Sequence, residues 1–169
     1  MAQRFQARGL EFEFDDDWLV GVPDASAFYR RHFIRMWDGI RAVDLLAVDP
    51  EGTLWLIEAK SFVEQPRTDP EALDLVVGTK AFDTLAALLP AKRHANEAAD
   101  VTLARRALDA RNLRVVLHLE QPLHRSRLRP RAISPADVKM ALRRRIRPID
   151  QHPLVVESTT RMPWRVSRI

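Results

Sequence analysis

The chain has 169 residues, of which 46% are hydrophobic and 30% charged, with a formal net charge of +4. This length and balance fit one domain over residues 1–169 with its own core, and the elements predicted along the chain indicate an α/β fold. The absence of cysteine excludes disulfides, thiolate zinc sites and cysteine nucleophiles. No apolar run approaches the roughly 20 residues that span a bilayer. The N-terminal stretch has no hydrophobic signal core, so we expect a cytoplasmic protein.

The first third predicts short elements around an acidic turn. Strands are expected over residues 10–14 and 18–22, and the turn between them holds three aspartates, for which solvation is favoured over cation binding. Asp24 then begins a predicted helix over residues 24–33. It can serve as the N-cap of that helix or turn towards a metal, and the sequence leaves both roles open.

Residues 42–62 predict a β-hairpin that concentrates charge on one face. The turn Asp49-Pro50-Glu51-Gly52 suits a three-residue loop with a bulge at the glycine. This loop pairs Asp49 with Thr53 and, five residues further along each strand, sets Asp44 opposite Glu58. Lys60 lies two residues after Glu58 and therefore shares its face.

Two carboxylates and an ammonium group on an apolar hairpin suit a divalent-metal site. Mg²⁺ or Mn²⁺ takes oxygen ligands, usually one or two carboxylates together with water and substrate phosphate. Asp44 and Glu58 are the candidate ligands, and Lys60 is the candidate catalytic cation beside the attacking water. A surface ion pair between Glu58 and Lys60 is the structural alternative.

A long helix is predicted next, and it carries a further lysine. Asp69-Pro70-Glu71 has the features of a helix start, and Pro90 is expected to end the helix at residue 89. Lys80 lies on the apolar stripe of this helix. It can assist with a phosphate at the Asp44/Glu58 face, extend to solvent, or pair with Asp83 or Glu58.

The last third predicts a parallel strand, a basic helix and two terminal strands. A helix over residues 95–110 leads to a strand over 113–119, in which His118 is interpreted as a satisfied core histidine. Ser134 and Pro135 begin a helix that runs to about residue 145. Short strands are expected over residues 153–158 and 164–167.

Basic residues are concentrated in the same region. Residues 101–169 hold 16 Lys+Arg against 5 Asp+Glu. This excess favours contact with a phosphate backbone, and a solvated charged face is the alternative. The expected nucleic-acid footprint consists of Arg125, Arg127, Arg129, Arg131, Lys139, Arg143, Arg144, Arg145 and Arg147.

The spacing of Asp44, then Glu58-Ala59-Lys60 fourteen residues later, resembles the PD-(D/E)xK nuclease superfamily. The segments DASAFYR, VDLLAV, LIEAKSF and TKAFDTLAAL together resemble a bacterial branch of it. Val43 stands where the first motif usually has proline, and the glutamate that many relatives carry on the preceding helix is absent. The resemblance implies a restriction-endonuclease-like fold, a central mixed β-sheet flanked by helices, with Mg²⁺ or Mn²⁺ held by Asp44, Glu58 and, as a substitute ligand, Asp24.

The resemblance further implies hydrolysis of nucleic-acid phosphodiesters, with DNA favoured over RNA and a homodimer left open. Asp44, Glu58, Lys60 and Lys80 are the expected catalytic residues. One alternative is an inactive module that keeps the fold and binds nucleic acid or a protein. Another is an interaction subunit of a larger complex, whose binding would not depend on salt.

Overall fold

A computed structural model describes residues 1–63, 71–122 and 133–169, and these ranges contain eight β-strands and four α-helices. The strands are β1 (Gln3–Ala7), β2 (Leu10–Phe14), β3 (Leu19–Gly21), β4 (Leu45–Val48), β5 (Thr53–Ser61), β6 (Asn112–Glu120), β7 (Leu154–Val156) and β8 (Arg165–Arg168). The helices are α1 (Ala27–Arg31), α2 (Leu73–His94), α3 (Ala98–Leu108) and α4 (Pro135–Ile146). None of the helices in the described ranges is long and apolar enough to cross a membrane.

A five-stranded mixed sheet forms the centre of the fold, in the order β3-β4-β5-β6-β7. β3, β4 and β5 are antiparallel neighbours, whereas β5, β6 and β7 are parallel. The prediction of a mixed sheet, with a parallel strand added after a helical crossover, is therefore confirmed. The chain is a mixed α/β protein.

The two faces of this sheet are covered by different layers. One face carries Leu46, Leu56 and Leu117 and packs against apolar residues of all four helices. The other face packs against Phe12 and Phe14 of a second sheet, which has the order β1-β2-β8. The expectation of a sheet flanked by helices is thus correct for one face only. β8 occupies an edge position beside β2 and completes a layer that covers the second face.

The predicted hairpin is present with the predicted register. The pair Leu45↔Ile57 and the pair Val48↔Leu54 fix the alignment of β4 and β5. The Asp49 N–H donates to the Thr53 carbonyl over 3.1 Å, and Gly52 has φ 84°. Proline and glycine at the turn therefore set the register, because their backbone preferences match the three-residue loop.

The helix predicted over residues 24–33 is present only as the shorter α1, and the predicted cap at Asp24 is wrong. A 3₁₀ turn over Pro23–Ala25 precedes α1, and Ser26 is the N-cap, accepting a hydrogen bond from the Tyr29 N–H over 3.2 Å. Asp24 makes no cap and lies exposed within the 3₁₀ turn. The hydroxyl of Ser26 also donates to Asp100 of α3, which ties the start of α1 to another helix.

The predicted end of α2 at Pro90 is also wrong. The helix continues to His94, with Pro90 inside it. Proline removes the hydrogen bond to the carbonyl four residues earlier, which belongs here to the exposed Ala86. Burial of Leu88 and Ala91 on either side of Pro90 holds the helix together. The predicted start at residues 69–71 lies mostly outside the described residues, and α2 begins at Leu73.

β1 was not predicted, and the two strands predicted around the acidic turn, β2 and β3, belong to different sheets. The other elements follow the predictions, some with shifted ends. The helix predicted over residues 95–110 is α3, and the strand predicted over 113–119 is β6. Ser134 caps α4 as expected, accepting from the Asp137 N–H over 3.3 Å. β7 and β8 are shorter than or offset from their predicted ranges.

Candidate active site

The charged residues predicted on the hairpin lie together where β4 begins and β5 ends. Continuing the β4–β5 register by one pair places Asp44 opposite Glu58. One carboxylate oxygen of Asp44, Oδ2, accepts the Ala59 N–H over 2.8 Å. The Lys60 ammonium lies 3.2 Å from Glu58 Oε1. Exposure of the side chains rises from 0% for Glu58 to 12% for Asp44 and 22% for Lys60, so the cluster opens to solvent at its outer side.

Lys80 joins this cluster from α2. Its Nζ donates to Glu58 Oε1 over 2.7 Å, and its side chain is only 10% exposed. Of the three roles that the sequence left open, extension to solvent is therefore wrong. Pairing with Glu58 is observed, and it places the ammonium at the predicted face. Two lysines thus share one oxygen of a fully buried carboxylate.

The second oxygen of Glu58 is the exceptional atom of the cluster. Oε2 is buried and, among the residues that the structure describes, has no hydrogen-bond partner. Burial raises the pKa of Glu58, and the nearby Asp44 carboxylate raises it further, while Lys80 and Lys60 oppose both effects. A buried carboxylate oxygen without a donor is costly. A cation bound between Glu58 and Asp44 would supply the missing partner.

Two further residues of α2 hold the chain segment that leads into Asp44. Asp83 Oδ2 accepts the Arg41 N–H over 2.9 Å. Thr84 Oγ1 accepts the Val43 N–H over 3.0 Å and donates to the Lys80 carbonyl over 2.7 Å. One turn of α2 therefore fixes both the entry to β4 and the position of the lysine. The sequence drew attention to this segment only through the resemblance of TKAFDTL, and its positioning role was not predicted.

The carboxylate pair of Asp44 and Glu58 provides part of the ligand set of a hard divalent cation. Asp44 Oδ1 and Glu58 Oε2 are the oxygens not engaged in the hydrogen bonds above, and carboxylate oxygen is the ligand that Mg²⁺ prefers. Within residues 1–63, 71–122 and 133–169, no group of three or more His, Asp or Glu side chains is arranged to hold a metal ion. Asp24 is therefore not grouped with this pair, and water or substrate phosphate would have to complete the shell.

Arg8 is a neighbour of the cluster that the sequence did not reveal. It lies in the turn between β1 and β2, and its Nε is 4.0 Å from Asp44 Oδ1. The only sequence signal for this turn is the pair Arg8-Gly9 between two segments in which apolar and polar residues alternate. The signal is weak, because arginine is unusual in two-residue turns.

The basic residues of α4 face outward, except for one ion pair. Arg145 Nε donates to Asp74 of α2 over 2.7 Å. Met140, Arg143, Arg144 and Arg147 line a shallow surface concavity of about 440 Å³, and Lys139 is exposed on the same helix. The predicted footprint residues Arg125, Arg127, Arg129 and Arg131 lie outside the described residues.

His118 is buried in the core, as predicted, and lies on the sheet face opposite the charged cluster. Its Nε2 accepts the Trp164 Nε1–H over 3.2 Å, and its ring packs edge-on against Phe12. Nδ1 has no hydrogen-bond partner among the described residues, so the ring is only half satisfied there. Burial lowers the pKa of His118 to about 4, which keeps the ring neutral near pH 7.

The chain is partly similar to a known protein. A cysteine–tRNA ligase from Neisseria meningitidis is 37% identical over 101 residues, which cover 55% of this chain and 14% of the ligase. The chain thus matches about one seventh of the length of that protein. No protein-family model matches the chain, and no solved structure matches it.

Proposed function

We propose that the protein is a metal-dependent nuclease that hydrolyses nucleic-acid phosphodiester bonds on a restriction-endonuclease-like fold. One observation carries the proposal: Glu58 is fully buried opposite Asp44, with one oxygen bound by two lysines and the other without a hydrogen-bond donor in the described part of the chain. A purely structural ion pair leaves no reason for the second carboxylate or the unpaired oxygen. Both are expected of a cation site.

The roles of the residues follow from their positions. Asp44 and Glu58 would hold Mg²⁺ or Mn²⁺, which when bound lowers the pKa of water and stabilises charge on phosphoryl oxygen. Lys60, at the outer side of the cluster, can orient the attacking water or stabilise the developing negative charge. Lys80 is less exposed and keeps the Glu58 side chain in place, while Asp83 and Thr84 position the segment that carries Asp44.

The basic face of α4 supports a polyanionic substrate. Arginine binds phosphate oxygens through its planar fork, and the exposed arginines of α4 offer several such groups. The similar ligase acts on a tRNA, as its name states. That similarity covers too little of the ligase to transfer its activity, but it makes tRNA a reasonable member of a substrate panel beside DNA.

The test combines metal binding with cleavage. Calorimetric titration with Mg²⁺ or Mn²⁺ should show binding to the wild type and a loss of binding in Asp44→Asn and in Glu58→Gln. Glu51→Gln is the matched control, because Glu51 is an exposed carboxylate in the turn of the same hairpin. Cleavage of duplex DNA, single-stranded DNA and tRNA should disappear in the two site variants and persist in the control. Cleavage that survives Asp44→Asn would contradict the proposal.

An inactive binding module is the second candidate. The observation in its favour is that Lys80 and Lys60 already bind Glu58 and that no third acid joins the pair in the described part of the chain. This candidate predicts salt-dependent nucleic-acid binding that Asp44→Asn leaves intact, with no cleavage by the wild type.

A further inference from the structure

The turn between β1 and β2 has a backbone that does not suit its first residue. Ala7 pairs with Leu10, so Arg8 and Gly9 form a two-residue loop. Their φ angles are 52° and 78°, which is the pattern of a type I′ turn. Asparagine or aspartate followed by glycine is preferred there, because an L-residue with a larger side chain is strained in the left-handed region. Arg8 is the only non-glycine residue with positive φ in the described ranges.

Local contacts do not explain an arginine in this position. Its Nε lies 4.0 Å from Asp44 Oδ1, which is beyond hydrogen-bond distance, and its side chain is 58% exposed. An ion pair with such an exposed partner contributes too little to offset a left-handed backbone. Strain at a position where local stability gains nothing directs attention to function.

The turn is nevertheless held firmly beside the carboxylate pair. Gly9 accepts a hydrogen bond from the Ile169 N–H over 3.1 Å, and β2 pairs with β8 along its length. Leu10 and Phe12, which follow the turn, are buried in the core between the two sheets. The guanidinium group is therefore presented, from a hairpin anchored by strand pairing and core packing, at the solvent-facing side of Asp44.

We propose that Arg8 is a substrate-binding residue whose guanidinium group binds a non-bridging oxygen of the nucleic-acid phosphate next to Asp44. This inference rests on the proposed function and deepens it. A guanidinium fork binds phosphate oxygens through two parallel hydrogen bonds. At 4.0 Å it is close enough to Asp44 to place a phosphate against a cation held by that carboxylate. It is also far enough to leave its donors free for the substrate.

The test exploits the conflict between turn preference and substrate binding. Arg8→Asn should raise Tm by about 2 °C or more, because asparagine relieves the strain of the left-handed backbone. The same variant should weaken binding of a fluorescently labelled DNA duplex, measured with Ca²⁺ present, by about tenfold. The slope of log affinity against log salt concentration should become shallower by the amount expected for about one lost phosphate contact. Single-stranded DNA and RNA of the same sequence are measured in parallel.

Arg4→Asn is the matched control for loss of a positive charge on the same hairpin. Arg4 is exposed and pairs with Glu13 on β2, so it should leave DNA affinity within about twofold of the wild type. Equal affinities of the Arg8→Asn and Arg4→Asn variants would overturn the inference. A fall in Tm for Arg8→Asn would also overturn it, because that result assigns Arg8 a structural ion pair with Asp44.

Failure of the proposed function remains distinguishable. If the wild type binds nucleic acid without cleaving it, hydrolysis is refuted, and a loss of affinity in Arg8→Asn still supports the role of Arg8. If the wild type neither binds nor cleaves any member of the panel, both proposals are overturned.

Discussion

Replacing Lys80 with methionine isolates the electrostatic contribution of the buried pair. Methionine retains most of the apolar stem of lysine but removes the ammonium that lies 2.7 Å from Glu58 Oε1. Among the described residues, the ionised and fully buried carboxylate then keeps only Lys60 as a positively charged partner. Breaking a buried pair by removing one partner costs about 3–5 kcal/mol in other proteins.

Protonation of Glu58 limits this loss. Keeping a carboxyl with the ordinary glutamate pKa of 4.5 protonated at pH 7.0, which is 2.5 pH units higher, costs about 3.4 kcal/mol. This cost is the upper limit of the loss in stability, because the buried Glu58 can protonate instead of remaining charged. The limit falls to about 0.7 kcal/mol at pH 5.0. The pKa of Glu58 in the folded protein is raised above 4.5, so ionisation of Glu58 destabilises the fold as the pH rises from 4.5 through the folded pKa. Below pH 4.5 the effect vanishes. Lys80→Met should therefore lower the free energy of unfolding by up to about 3 kcal/mol at pH 7 and by much less at pH 5.

The measurement is urea unfolding at pH 5 and pH 7 of four proteins: the wild type, Lys80→Met, the double variant Lys80→Met with Glu58→Gln, and the control Lys139→Met. Lys80→Met combined with Glu58→Gln should be more stable at pH 7 than Lys80→Met alone, because the neutral amide carries no uncompensated charge. Lys139→Met, an exposed lysine on α4, controls for the exchange of lysine for methionine in a helix. A loss of stability that is equal at pH 5 and pH 7, or unaffected by Glu58→Gln, would refute this account.

Two further predictions concern the core. The pKa of His118 is lowered from 6.5 to about 4, so the neutral ring contributes its full stability above pH 6.5. The free energy of unfolding should therefore fall by about 3 kcal/mol as the pH drops towards 4. Urea unfolding of His118→Phe over the same pH range should lack this decline. Gly78→Ala should destabilise the protein by about 1–2 kcal/mol, although alanine has a higher helix propensity than glycine. The new Cβ would lie only 2.9 Å from Arg145 Cδ and 3.2 Å from Ile146 Cγ2. Thermal melts beside Thr79→Ala would test this, and an increase in Tm for Gly78→Ala would contradict it.

Local chemistry made the hairpin readable in the sequence. Pro50 and Gly52 have restricted or unusual backbone preferences, and these alone align Asp44 with Glu58. The cap at Ser134 is another local signal, and it is found where the sequence predicts it. Such features involve residues within a few positions of one another, so tertiary packing has little opportunity to override them.

Long-range pairing accounts for most of what the sequence did not show. The contact of Lys80 with Glu58 joins residues 22 positions apart, and the sequence left three roles open for that lysine. β8 pairs with β2 from the opposite part of the chain, which is why a sheet rather than helices covers the second face. At Pro90 and Asp24, tertiary contacts of the neighbouring residues overrode a local signal that pointed elsewhere.

The buried Glu58–Lys80 pair has a consequence for how this protein responds to selection for stability. Replacing a buried ion pair with well-packed apolar residues is often neutral or stabilising in proteins. A screen for thermal stability alone would therefore favour variants in which both residues become aliphatic. Such variants would keep the fold and lose the carboxylate that faces Asp44. Stability of the fold and the proposed metal site are thus in direct conflict at one residue pair, and thermostable variants should be enriched in ones that lack the carboxylate pair.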